Sequence, residues 1–279
     1  MHKIRYIILF VLASMSFSTA QNNSKSIMTY NIRYANNNPG EEWDLRKENL
    51  AKVMLNQNPD IFGVQEALLS QVEFLSEKFT NYKQIGVGRD DGIKEGEFST
   101  LYVSDRYNIL NNGTFWLSET PDTSSFGWDA SYKRVATWAI IIDKKLKDSL
   151  FVMNTHLDNE GIVARNESVK LLLIKIEELS INLPIILLGD FNFTSEFEGY
   201  KTLVNSGLLK DAQFETANNY GTNITFNGFD NNITSGDKID YIFVSDKIKV
   251  INHSIIDEQI DSKYPSDHMP VAIDFELKK

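Results

Sequence analysis

Short apolar runs that end in polar residues recur along the chain and alternate with segments of helical periodicity. Eight of these runs have the length and the Ile, Val, Tyr and Phe content that are typical of buried β-strands. They span residues 26–31, 60–66, 99–104, 136–143, 149–156, 184–190, 238–245 and 269–277. The pattern predicts a sheet-rich core to which the whole length of the sequence contributes.

Three intervening segments predict amphipathic helices, because their apolar residues fall on one helical face. These residues are Leu50, Val53 and Met54; Leu68, Leu69, Val72 and Leu75; and Val169, Leu172, Leu173, Ile176 and Leu179. Asp44 and Asn166 are the expected N-caps of the first and third helices. Strands mixed with helices indicate an α/β layered domain. Segments 36–40 and 217–236 are expected to be surface loops, and the second is long enough to face a substrate or is simply solvated.

The first 20 residues differ from the rest of the chain. A basic start, MHKIRY, precedes the apolar run IILFVLASMSF and the small residues STA. The apolar run is too short for a stable transmembrane anchor. We therefore expect a signal peptide cleaved after Ala20, export to the periplasm or the extracellular space, and one folded domain over residues 21–279. An uncleaved N-terminal anchor is the alternative.

Composition and charge narrow the function. The chain of 279 residues has no cysteine, which excludes disulfides, a lipid-modified cysteine at the cleavage site and thiolate chemistry. Its formal net charge is −10, and removal of Lys3 and Arg5 with the signal segment leaves 26 basic against 38 acidic residues, or −12. Such a chain is poorly suited to gripping nucleic acid through phosphate contacts alone, although a bound divalent cation can reverse the local field.

Polar side chains that can bind a metal or a phosphate stand at the ends of the predicted strands. In IILLGDFNFT, Asp190 and Asn192 follow an apolar strand and Gly189. Residues two apart in a strand share a face, so both side chains should point at one place. Similar positions are held by Asn31, Glu66, His156, Asp240, Asp267 and His268. Because ligand sites in α/β sheets gather at strand ends, we expect these groups to converge.

The residue types in this set suit the hydrolysis of a phosphate ester. Carboxylate and carbonyl oxygens without thiolates select Mg²⁺, Mn²⁺ or Ca²⁺. A hard cation, a carboxylate that activates water and imidazoles that balance charge are the groups this reaction needs. His253 has no such neighbours in the sequence and is expected to be an ordinary surface residue.

Six motifs in a fixed order carry a resemblance to a known family. MTYNIRY, DIFGVQEA, NTHLDN, LLGDFN, DKIDYIFVS and SDHMPV resemble the endonuclease/exonuclease/phosphatase superfamily of DNase I-like proteins. Two further stretches, TFWLSETPD and FGWDASYKRVATWA, look like a secreted bacterial branch of it near the carbon-catabolite-repressor type deadenylases. The resemblance covers residues 26 to 277. It implies a four-layered α/β sandwich, in which two mixed β-sheets pack face to face and are flanked by helices, and a hydrolase that depends on Mg²⁺ or Mn²⁺.

The resemblance also implies a role for each site residue. Asn31, Glu66 and Asp267 match metal positions. His156 and His268 match the catalytic histidines, and Asp240 matches the carboxylate that orients His268. Asp190 and Asn192 match the pair that positions water and phosphate. Glu97 resembles the acidic partner of His156.

The substrate is less well specified. Arg89, Trp128 and Arg134 are candidates for substrate contacts, with a packing role as the alternative for the tryptophan. A small phosphate mono- or diester suits the acidic chain best. An extracellular nuclease comes next, a phospholipid hydrolase third, and a non-catalytic binding protein is the remaining alternative. We expect a monomer.

Overall fold

Two β-sheets form the centre of the molecule, whose computed structural model describes residues 23–278. The predicted signal peptide lies outside the described residues. In chain order the strands are β1 (Lys25–Asn31), β2 (Ile61–Ala67), β3 (Tyr82–Ile85), β4 (Phe98–Ser104), β5 (Tyr107–Trp116), β6 (Val135–Asp143), β7 (Ser149–His156), β8 (Ile185–Asp190), β9 (Lys210–Asp211), β10 (Asn219–Gly221), β11 (Asp240–Val244), β12 (Ile248–Ile255) and β13 (Val271–Leu277).

Both sheets are mixed. The first has the order β10-β12-β13-β1-β2-β4-β3, and the second has the order β5-β6-β7-β8-β11-β9. The parallel pairs β1–β2 and β7–β8 stand near the middle of their sheets, where their final residues meet. This central position brings the polar strand ends of the two sheets together at one edge of the sandwich.

Four helices cover the outer faces of the sheets. They are α1 (Trp43–Gln57), α2 (Leu69–Lys78), α3 (Ile162–Leu179) and α4 (Glu198–Val204). One apolar cluster lies between the sheets, a second joins α3 and α4 to the second sheet, and a third joins α1 and α2 to the first sheet. The predicted four-layered α/β sandwich is therefore confirmed. Within residues 23–278, none of the helices has the length and apolar character needed to cross a membrane.

The eight predicted strands are all present, with small shifts at their ends, and the sequence analysis missed five others. The largest shift is at β11 and β13, which start two residues later than predicted. The missed strands include β5 and β12, whose polar residues interrupt the apolar pattern. β5 stands at an edge of the second sheet, where one of its flanks has no partner strand within residues 23–278, so apolar residues are not required throughout.

The predicted helix caps were wrong. Helix α3 starts at Ile162, so Asn166 lies inside it. Its first N–H groups are instead capped from a distant loop, because the Asp129 carboxylate accepts hydrogen bonds from Val163 N (3.2 Å) and Ala164 N (2.6 Å). Asp44 likewise lies in the first turn of α1, which begins at Trp43.

Candidate active site

Three of the predicted site residues lie in one row across the second sheet. His156, the last residue of β7, pairs with Asp190, the last residue of β8. Asp190 also pairs with Asp240, the first residue of β11. Residues directly opposite each other on neighbouring strands present their side chains on the same face. The strand register alone therefore brings together an imidazole and two carboxylates.

The turn after β8 depends on Gly189. Its φ of 147° is unfavourable for other residues, and a Cβ there would stand 2.0 Å from the carbonyl oxygen of Thr155. After this turn the backbone N–H of Asn192 donates to Asp190 Oδ1 (2.9 Å), and Asn192 Nδ2 donates to the carbonyl of Leu157 (2.9 Å). The strand end is therefore built to hold the carboxylate and the carboxamide in fixed positions.

The first sheet supplies Glu66 through an irregularity in β2. The pairing of β2 with β4 shifts register between Val64 and Ala67, and Glu66 has a φ of 63°. A bulge of this kind redirects a side chain at the end of a strand. The Glu66 carboxylate is then held by the backbone N–H of Tyr34, which donates to Oε2 (3.1 Å).

Asn31, at the end of β1, connects the two sheets at the site. Its Nδ2 donates to Glu66 Oε1 (3.0 Å) and to Asp190 Oδ2 (2.8 Å). Its Oδ1 accepts from the backbone N–H of Arg33 (3.0 Å). In this arrangement the amide group aligns two carboxylates.

Asp267 and His268 precede β13 and reach the same place. Ser266 Oγ donates to the carbonyl of Asn31 (2.7 Å), and His268 Nδ1 is 2.8 Å from Asp240 Oδ2. The predicted pairing of Asp240 with His268 is therefore present in the structure.

Segment 217–236, expected to be a surface loop, contains the short strand β10, and its later part supports Asp267 and Asp240 and contacts His268. Asn227 N donates to the carbonyl of Asp267 (2.7 Å), and Thr225 Oγ1 accepts from Asp240 N (3.0 Å). Phe226 stacks edge-on against His268, with ring centroids 5.1 Å apart.

The pKa values of the two histidines are shifted in opposite directions. Burial opposes a charge on His268, but Asp240 and Asp190 outweigh it and raise its pKa well above the usual value. Burial also lowers the pKa of His156, and Arg134 lowers it further, so that it falls well below the usual value. At neutral pH His268 is an imidazolium and His156 is a neutral imidazole.

Asp190 lies within reach of both histidines. Its Oδ2 is 3.5 Å from His156 Nε2 and 3.7 Å from His268 Nε2. Burial and the nearby Asp240 raise the pKa of Asp190 to about 7. A carboxylate whose pKa is close to neutral is well matched to accepting a proton from water.

Glu97 does not occupy its predicted place beside His156. Its Oε2 instead pairs with Arg89 Nη1 at 2.6 Å and lies 3.6 Å from Arg134 Nη1. Arg134 Nη1 in turn is 2.9 Å from His156 Nδ1, so a guanidinium lies beside the ring where the acid was expected. The carboxylate is drawn to two cations, with which it forms charge-assisted contacts.

The acidic residues at this edge fit a divalent cation. Glu66, His156 and Asp190 offer ligand atoms within 4.8 Å of one another, and so do Asp190, Asp240 and His268. Asp267, predicted as a ligand, belongs to neither group. It faces Glu66 across Arg33, whose Nε is 3.7 Å from Asp267 Oδ2 and whose Nη1 is 3.7 Å from Glu66 Oε2. The guanidinium of Arg33 therefore lies between these two carboxylates. Carboxylate oxygens are the hard ligands that Mg²⁺ and Mn²⁺ prefer.

Most of the predicted site residues line one cavity of about 810 Å³. They are Glu66, Arg89, Glu97, Arg134, His156, Asp190, Asn192, Asp267 and His268. Asn31 and Asp240 are buried behind the wall, where they contact Asp190 and His268. Trp128 is not part of the cavity wall, so its position does not support a substrate contact.

The sequence analysis missed other residues of this cavity. Tyr34, Tyr132, Phe226 and Phe229 add aromatic surface, and Arg33 and Glu41 add charge. Arg33 and Tyr34 belong to the motif MTYNIRY, and their position two and three residues after Asn31 was a usable signal. The two phenylalanines lie in the Asn- and Gly-rich segment 217–236, where the local sequence gave no signal that they line the cavity.

The fold and the site define a phosphoester hydrolase of the DNase I-like class. The model described as the Endonuclease/Exonuclease/phosphatase family matches residues 28–268, and the chain belongs to this family. Its members are divalent-metal-dependent hydrolases of phosphoester bonds. The predicted family and enzyme class are confirmed.

Solved structures and a curated relative support this assignment. An endonuclease/exonuclease/phosphatase family protein from Bacteroides thetaiotaomicron is 36% identical, with a TM-score of 0.89 over 92% of this chain and 98% of that one. The mannosyl-6-phosphatase Bt3783 of the same species is also 36% identical, with a TM-score of 0.87 over 91% and 100%. The Candida albicans CCR4-Not complex 3'-5'-exoribonuclease subunit Ccr4 is 24% identical, but the match covers 85% of this chain and only 38% of that protein.

Proposed function

We propose that this protein is an exported hydrolase that uses Mg²⁺ or Mn²⁺ to cleave the phosphate ester of a small molecule, with a phosphorylated sugar as the first candidate. The reaction-centre residues line a cavity of about 810 Å³, a size typical of small-molecule sites. This observation carries the proposal. The net charge of −10 also disfavours nucleic acid, and the similar Bt3783 protein is described as a mannosyl-6-phosphatase.

The side chains can divide the reaction among them. Asp190 accepts a proton from a water molecule while the water oxygen forms a bond to phosphorus and the ester P–O bond breaks. Asn31 and the backbone of Asn192 hold Asp190 in position. His268, as an imidazolium, stabilises the negative charge on the phosphate oxygens. A divalent cation held by Glu66 and neighbouring carboxylates would neutralise the phosphate and the leaving oxygen.

A substrate panel tests this function. Mannose 6-phosphate, other hexose phosphates, inositol phosphates, poly(A) RNA and plasmid DNA would each be incubated with Mn²⁺ or Mg²⁺, with and without EDTA. We expect inorganic phosphate from at least one sugar phosphate, no release in EDTA, and little cleavage of either polymer. Cleavage of poly(A) or plasmid without phosphate release from any small molecule would identify a nuclease instead.

The proposed export has its own test. Expression of the full chain in a bacterial host should give a protein outside the cytoplasm whose first residue, by N-terminal sequencing, is Gln21. A protein that keeps residues 1–20 in the membrane fraction would support the uncleaved anchor.

A further inference from the structure

Two arginines form one wall of the cavity. Arg89 lies in the loop between β3 and β4, and Arg134 directly precedes β6. Both guanidinium groups approach Glu97 Oε2, and the ring centroid of Tyr132 is 5.3 Å from the central guanidinium carbon of each. The shared carboxylate and the shared aromatic ring hold the two cations side by side, although their positions are far apart in the sequence.

This arginine wall, Arg89 and Arg134, adjoins the reaction centre. Arg134 Nη1 is 2.9 Å from His156 Nδ1, and Arg134 Nη2 donates to Asn159 Oδ1 (3.0 Å). Arg134 is therefore fixed against a ring that itself lies 3.5 Å from the oxygen of Asp190. A phosphate placed for attack by water at Asp190 has this wall beside it.

Arg89 keeps donor capacity for a ligand. Among residues 23–278 only its Nη1 has a side-chain hydrogen-bond partner, and its side chain keeps 12% exposure in the cavity wall. Arg134 Nε also lies 3.5 Å from Asp158 Oδ1, so the charge of Arg134 is balanced nearby, whereas Arg89 has one ion-pair partner among residues 23–278, Glu97. A guanidinium presents its N–H groups as a planar fork that matches two oxygens of one phosphate.

We propose that Arg89 and Arg134 form a subsite for a terminal, doubly charged phosphate, and that they make the enzyme selective for phosphomonoesters over phosphodiesters. This inference rests on the proposed function. A monoester offers three terminal oxygens and up to two negative charges. A diester offers two oxygens and one charge, and its second ester carbon would leave guanidinium N–H groups without an acceptor.

The selectivity is measured with two reporter substrates in Mn²⁺. Wild type should show a higher kcat/KM for p-nitrophenyl phosphate than for bis-p-nitrophenyl phosphate. Arg89→Gln should lower kcat/KM for the monoester about 10- to 100-fold, as expected for a lost charge-assisted hydrogen bond, and for the diester less than about threefold. Lys94→Gln is the matched control, because it removes one positive charge from an exposed position in the same loop. It should leave the ratio of the two kcat/KM values, monoester to diester, unchanged.

Inorganic phosphate gives a second readout that does not depend on turnover of a monoester. Its competitive inhibition constant should rise about tenfold or more in Arg89→Gln, whichever reporter is used. Arg89→Lys keeps the charge but loses the planar guanidinium, so its inhibition constant for phosphate should lie between those of wild type and Arg89→Gln. It replaces Arg89→Gln if that variant does not fold.

The outcomes separate the two proposals. Equal losses on both reporters, or an unchanged inhibition constant for phosphate, would overturn the subsite, because Arg89 would then act only through the shape of the loop. Failure of wild type to release phosphate from any small molecule would instead contradict the proposed function, while the inhibition constants would still decide whether Arg89 binds phosphate.

Discussion

His156 and His268 approach the same oxygen of Asp190, and their surroundings give them different chemistry. On the carboxylate side of the site, Asp240 and Asp190, with a smaller contribution from Asp267, outweigh burial and raise the pKa of His268, which keeps the ring protonated. On the arginine side, burial lowers the pKa of His156, and Arg134 and Arg89 lower it further, which keeps the ring neutral. Both rings are almost fully buried, so burial alone does not distinguish them.

This difference indicates that two functions are carried out in different parts of the site. A permanent cation beside Asp190 suits the stabilisation of phosphate charge, whereas a neutral ring can exchange hydrogen bonds without changing its charge. His268 therefore supplies a positive charge to the cavity, and His156 positions its neighbours. We expect groups on the carboxylate side to set the pH dependence of the activity.

The largest expected effect comes from the carboxylate that both histidines approach. Asp190→Asn removes the proton acceptor but keeps the shape of the residue, so kcat for p-nitrophenyl phosphate in saturating Mn²⁺ should fall about 10³-fold. The melting temperature should not fall. Asp122→Asn, at an exposed position, is the matched control and should behave as wild type. A loss below about tenfold would show that another group accepts the proton.

The next effect tests the charge on His268. Asp240 raises the pKa of His268, and the protonated ring is the active form, so activity should persist to high pH in wild type. Asp240→Asn should lower that pKa, and the alkaline limb of the kcat profile should move toward lower pH. At pH 9 the variant should therefore keep a smaller share of its pH 7 activity than wild type does. An alkaline limb that does not move would mean that another group sets it.

A smaller effect should separate metal binding from chemistry. Glu66→Gln keeps the hydrogen-bonding shape but removes one anionic ligand, so the Mn²⁺ concentration for half-maximal activity should rise about tenfold or more. Calorimetric titration of the protein with Mn²⁺, without substrate, should show the same weakening. If Mn²⁺ binding is unchanged and only kcat falls, Glu66 is not a ligand.

The sequence predicted those parts of the molecule that depend on local pattern and strand order. Asp190, Asn192 and His156 could be placed together because apolar strands end at them and their sheet partners follow from the fold. The resemblance also implied the pairing of Asp240 with His268, which the structure contains, but the environment of His156 could not be predicted. It depends on Arg134, whose contact with the ring is set by pairing between β6 and β7 and by loop packing rather than by sequence spacing.

The same limit explains the specific errors. Asn166 has the composition of a cap, but the true cap of α3 is Asp129, which lies in a separate loop. Glu97 is acidic and near the right strand, but it is held by Arg89 and Arg134. In each case a contact between segments far apart in the sequence determined the structure and overrode the local preference. Sequence periodicity does not predict such contacts.

Another prediction that the structure contradicts, the assignment of His253 to the surface, provides a third histidine for comparison. His253 is only 2% exposed and lies in β12, outside the active-site cavity. Its Nε2 is buried without a hydrogen-bond partner among the described residues. Burial, helped by Lys238, lowers the pKa of His253 to about 4.

His253 should therefore affect stability and not catalysis. Because the unfolded chain protonates this histidine near its ordinary pKa of 6.5, the unfolded state binds more protons between about pH 4 and 6.5, and stability falls as the pH is lowered through this range. From pH 7 to pH 5 the loss from this one group is roughly 2 kcal/mol. Urea unfolding at both pH values should show a smaller decrease in His253→Gln than in wild type, with kcat unchanged. Equal decreases in the free energy of unfolding of wild type and His253→Gln would contradict this prediction. They would mean that His253 is protonated as readily in the folded protein as in the unfolded chain.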